Sequence, residues 1–92
     1  MRKIEGFRLR KIQGQSVVIG EGSGQVDFNK LIILNDSAAY LWERVEGICF
    51  DATLLSSLLV ERYGISEEIA HRDAENVVGM WKKAGIIETD CE

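Results

Sequence analysis

The sequence predicts an α+β domain, and three observations carry that prediction. Short segments rich in β-branched residues, separated by glycine turns, occupy the first third of the chain. Apolar residues at helical spacing, with cap residues in place, occupy the rest. The two regimes do not alternate, so helices are not interleaved with strands as a parallel sheet would require.

The β-region begins with Phe7-Arg8-Leu9-Arg10-Lys11-Ile12, which partly alternates apolar and basic residues. Ser16-Val17-Val18-Ile19 is β-branched, and Gln13-Gly14 between the two is a tight-turn signal, so the pair reads as a hairpin. Gly20-Glu21-Gly22-Ser23-Gly24 reads as a flexible loop. It lacks the Gly-Lys-Ser/Thr ending of a phosphate loop. Val26 to Leu34 makes a third strand, which completes a β-region over about residues 7–34. Its last four residues, Leu31-Ile32-Ile33-Leu34, are all apolar, which predicts cover on both faces at that end.

Three helices follow, at about residues 36–46, 51–63 and 66–84. Asn35 or Asp36 can cap the first, whose apolar stripe is Ala38, Leu41, Trp42 and Val45 and whose natural stop is Gly47. Asp51 can cap the second, which buries Leu54, Leu55, Leu58 and Leu59 and ends at Tyr63-Gly64. Ser66 can cap the third; Glu67 and Glu68 suit the positive end of its dipole, and Lys82 and Lys83 suit the negative end before Gly85. Only Gly64-Ile65 separates the last two helices, short enough for a helix-turn-helix corner. Gly85-Ile86-Ile87 offers a further short strand. Three β-segments and three helices form a single domain over residues 1–92.

Composition narrows the function. Hydrophobic content of 46% with 28% charged residues is that of a globular domain. A chain of this length buries roughly two-thirds of its unfolded surface, enough for one small core. A net charge of −4 argues against nucleic acid and against a membrane surface as partners. No apolar run reaches the roughly 20 residues of a membrane span, and Met1-Arg2-Lys3-Ile4-Glu5-Gly6 has no apolar stretch behind it to make a secretory signal. The expectations are a cytoplasmic location and reduced thiols at Cys49 and Cys91. Two cysteines and one histidine, none closely spaced, make no zinc site. No cofactor is expected, and no nucleophile–base pair suggests an enzyme.

Four residues invite closer weighing. Trp42 lies on the apolar stripe of the first helix and reads as core. Trp81 lies on a wider arc in the third helix, with Ile69, Met80, Ala84, Val77, Ala70 and Ala74, and Val78 at its edge. That arc covers roughly half the circumference, more than one contact needs, so core and ligand groove are both open for Trp81. Asp73 falls inside the same arc and reads as a buried structural acceptor rather than a catalytic acid. His71, the one histidine, falls on the polar arc and reads as a surface residue.

Phe28-Asn29-Lys30-Leu31-Ile32-Ile33-Leu34-Asn35-Asp36-Ser37-Ala38-Ala39-Tyr40-Leu41-Trp42-Glu43 resembles the signature of the PqqD-like proteins, also called RiPP recognition elements. Leu58-Leu59-Val60-Glu61-Arg62-Tyr63, Ala70-His71-Arg72-Asp73-Ala74-Glu75 and Lys83-Ala84-Gly85-Ile86-Ile87-Glu88 extend the resemblance from about Glu5 to Glu88. It implies a winged helix-turn-helix, with an N-terminal three-stranded antiparallel β-region followed by three helices. It also implies a non-catalytic module that captures the leader of a ribosomally made precursor peptide and presents it to a modifying enzyme, often a radical-SAM enzyme. The groove it implies lies between the third strand and the third helix, here Leu31, Ile32 and Ile33 against Val77, Met80 and Trp81. Two other readings of the chain are a DNA-binding winged helix and a protein-docking or homodimerisation module that uses the same groove.

Overall fold

The computed structural model describes residues 1–20 and 31–89. The elements run β1 (Arg2–Lys3), β2 (Phe7–Ile12), β3 (Gln15–Gly20), β4 (Leu31–Leu34), α1 (Asp36–Arg44), α2 (Ala52–Tyr63), α3 (Glu67–Ala84) and β5 (Ile87–Glu88). β2, β3 and β4 form an antiparallel sheet in that order, and β1 pairs with β5 as a separate two-stranded ribbon. This is the predicted α+β architecture with the ribbon added. The Gly-rich loop from Glu21 to Gly24 and the first half of the third predicted strand, Val26 to Lys30, lie outside the described residues.

Local chemistry accounts for most boundaries. Gln13 and Gly14 have φ of 50° and 80°. Positive φ at both positions gives the turn a twist that matches the right-handed twist of the flanking strands. The turn sets the register Ile12↔Gln15 through Phe7↔Gly20. The Asn35 side chain accepts from the Ala38 N–H at 2.8 Å, and Asp51 accepts from Leu54 at 2.8 Å. Ser66 accepts from Ile69 at 3.2 Å. Each satisfies one of the orphan donors of its helix. Gly64 and Gly85 stop α2 and α3 in the left-handed conformation. α1 is shorter than predicted, ending at Arg44 with Val45 as its cap, and Gly47 (φ 72°) follows in a turn.

One hydrophobic cluster joins the core face of the sheet to all three helices. At its centre Trp42 and Trp81 meet edge to face, with centroids 5.3 Å apart, and Phe50 meets Trp81 the same way at 6.0 Å. The β1–β5 ribbon closes over this cluster. Phe50 N–H donates to the Met1 carbonyl at 2.6 Å, and the Ile4 N–H donates to the Ile86 carbonyl at 3.0 Å. Lys3 is half-buried beside it, with its ammonium 4.5 Å from the Trp42 ring centroid and bonded to the Trp42 carbonyl and to Glu46. The aliphatic stem therefore packs while the charge stays paired.

Two expectations change here. Cys49 is disulfide-bonded, not a reduced thiol. The expectation came from compartment, which says nothing about what the fold brings together. The other cysteine of the chain, Cys91, lies outside the described residues. Asp73 is exposed rather than buried. A helical arc predicts a face, but among the described residues no element buries the outer part of this arc at Asp73.

Gly79 sits inside α3, where a Cβ would meet nothing within 4 Å. Glycine in a helix interior costs roughly 0.5–1 kcal/mol relative to alanine. Gly79→Ala should therefore raise the urea midpoint by an equivalent amount with the slope unchanged, as read by circular dichroism.

Candidate functional site

β4 is the edge strand of the three-stranded sheet, paired on one side only among the described residues. Its register against β3 runs Ser16↔Leu34, Val17↔Ile33, Val18↔Ile32 and Ile19↔Leu31. Period-two alternation sends Ile32 and Leu34 inward, where Leu34 is buried and Ile32 packs against the core. Leu31 and Ile33 point outward and are 57% and 56% exposed. The expectation of cover on both faces is thus overturned. An all-apolar run does not reveal which alternate residues have a neighbour.

α3 divides its wide apolar arc into two stripes. Ala70, Ala74, Val78 and Trp81 are buried in the core. Ile69, Asp73, Val77 and Met80 fall within about 80° of one another on the adjoining flank at 3.6 residues per turn. Ile69 is 42% exposed and Met80 40%, while Val77 is half-buried. Exposed apolar side chains on a strand edge and on a helix flank are individually unremarkable, but these two surfaces meet.

They meet in an open groove of about 490 Å³ that Ile33 and Leu34 of β4 and Met80 of α3 line together. The hairpin residues Gly14, Gln15 and Ser16 and the start of α1, Asn35 and Asp36, close one end. The cap at Asn35 turns the chain from β4 directly into α1, so the groove ends where the strand does. Strand edge, apolar wall and polar end together provide backbone N–H and C=O groups for an extended ligand and a surface for its side chains.

The six residues expected at the site fare differently. Ile33 and Met80 line the groove, and Leu31 is exposed on the same face of β4 as Ile33. Ile32 and Val77 are half-buried against the core beside it. Trp81 is fully buried, so of its two readings the structure selects the core. Sequence reasoning missed the contribution of residues 14–16 and of Asn35 and Asp36. The Gln13-Gly14 turn carried a signal for the former, since its register places Ser16 opposite Leu34.

Other residues are placed as follows. His71 is exposed, with its Nε2 3.4 Å from Glu75. Among the described residues, no group of three His, Cys, Asp or Glu side chains could hold a metal ion.

The family model described as coenzyme PQQ synthesis protein D (PqqD) matches residues 15–87 of this chain. Among solved structures, one described as lasso peptide synthetase B1 complexed with the leader peptide is similar, with a TM-score of 0.68 over 96% of each chain. Sequence identity to it is 21%, so the likeness is one of fold. No curated protein matches the sequence.

Proposed function

The chain belongs to the PqqD family, and from that premise we propose that it is a non-catalytic module that holds the leader segment of a ribosomally made precursor peptide for a modifying enzyme. The observation that carries the reading is the edge of β4, unpaired among the described residues, beside a groove walled by Ile33 and Met80. A peptide added to that edge would gain main-chain hydrogen bonds that tolerate many sequences, and alternate side chains would enter the groove and supply selection. The described peptide complex of the similar fold supports a peptide guest. A radical-SAM enzyme is one class of partner that would receive the presented peptide, in the cytoplasm where such precursors are made. No helix among the described residues is long and apolar enough to cross a membrane.

The winged-helix DNA reading has less support. α3 would be the recognition helix, and its N-terminal turn carries Glu67 and Glu68, with Glu75 exposed further along. Carboxylates there oppose the phosphate contacts that supply most nucleic-acid affinity.

Amide NMR during titration with the leader of a precursor encoded beside this chain tests the placement. The largest shifts are expected along residues 31–34 and on the flank of α3 that carries Val77 and Met80. Shifts confined to α1 or to β2 would overturn it.

A further inference from the structure

We propose that the peptide taken by this groove carries a lysine or arginine that pairs with Asp73, an inference that rests on the reading above. Asp73 is an exposed carboxylate inside an otherwise apolar stripe, between Ile69 and Val77 on the flank that continues to Met80 in the groove wall. Its neighbours at helical pairing distance are Ile69, Ala70, Asn76 and Val77, none of them cationic. Arg72, adjacent in sequence, lies about 100° around the axis at 3.6 residues per turn. Among the described residues Asp73 makes no side-chain hydrogen bond or ion pair. In the free protein water solvates it.

A ligand that covers Ile69, Val77 and Met80 removes that water. A carboxylate stripped of water without a donor is costly, so an apolar guest would be penalised at this one position. A guest with a cation there offsets the loss, and a guest with a carboxylate adds repulsion. Asp73 thereby excludes wrong peptides as much as it holds the right one. Asp36, the carboxylate that lines the groove itself, has no such need, because it sits in the first turn of α1, where the helix dipole favours it.

The test is selection from a displayed library of random peptides by the wild type, Asp73→Asn and Asp73→Lys. Wild-type selections should be enriched in lysine or arginine at one position. Asp73→Asn should lose the enrichment and bind the best wild-type peptide about tenfold more weakly, the effect of one ion pair of ordinary strength. Asp73→Lys should reverse the preference toward glutamate or aspartate. Thermal midpoints should not move in either variant, because the side chain is solvated. Peptides selected equally by all three proteins, with no preferred charge, would overturn this inference and leave the groove standing. Failure of the folded wild type to select any peptide would overturn the groove reading, and the inference with it.

Discussion

Trp81→Ala should lower the stability of this domain by about 3–5 kcal/mol, the range for removing a large aromatic side chain from a core. Trp81 is fully buried and holds the edge-to-face contacts with Trp42 and Phe50 that join α3 to α1 and to the segment before α2. Small domains have only about 5–15 kcal/mol of net stability, so the variant loses a large fraction of it and its unfolded population should rise steeply. Any loss of ligand binding in it would report folding and not contact. Trp81→Phe separates the two effects. The indole N–H is buried with no hydrogen-bond partner among the described residues. A phenyl ring removes that unsatisfied donor, a gain of about 1–3 kcal/mol set against the lost volume. The phenylalanine variant should therefore be clearly more stable than the alanine variant. Urea titration followed by far-ultraviolet circular dichroism measures both, and an alanine variant with an unchanged midpoint would contradict the core placement.

The second large effect is on binding. A double change, Ile33→Glu with Met80→Glu, should weaken leader-peptide affinity by at least about tenfold, or 1.4 kcal/mol. Both walls of the groove would then carry a charge that an added strand must desolvate. Both side chains are substantially exposed in the free protein, 56% and 40%, so folding should change by no more than about 0.5 kcal/mol per site. Ile12 provides the control, being 42% exposed on β2, the opposite edge strand of the sheet. Ile12→Glu should leave affinity unchanged. Isothermal titration calorimetry on the three proteins decides the matter: equal weakening by Ile12→Glu would mean that the ligand is not held by the β4 groove.

The sequence by itself determined what depends on near neighbours. Gln13-Gly14 specified a hairpin turn, and the pair Asn35-Asp36, Asp51 and Ser66 specified three helix starts, with the structure choosing Asn35 as the first cap. Gly64 and Gly85 specified two stops, and Trp42 on its stripe was legible as core. Each of these is settled by the steric freedom or hydrogen-bonding reach of one or two residues over a single turn. The resemblance of Phe28–Glu43 located the strand-to-helix junction that ends the groove. What lay beyond the sequence was which side of an apolar surface receives a neighbour. Leu31-Ile32-Ile33-Leu34 reads the same whether one face or both are covered, and only the packing of the helices on one face leaves Leu31 and Ile33 exposed. The arc of α3 includes Trp81, Asp73 and Met80 alike, yet the core accepts Trp81 and leaves the other two outside. The pairing of β1 with β5 and the disulfide at Cys49 likewise depend on approach between distant parts of the chain. Periodicity encodes direction around an axis or across a strand, whereas burial depends on what arrives from elsewhere, and only the tertiary structure supplies that.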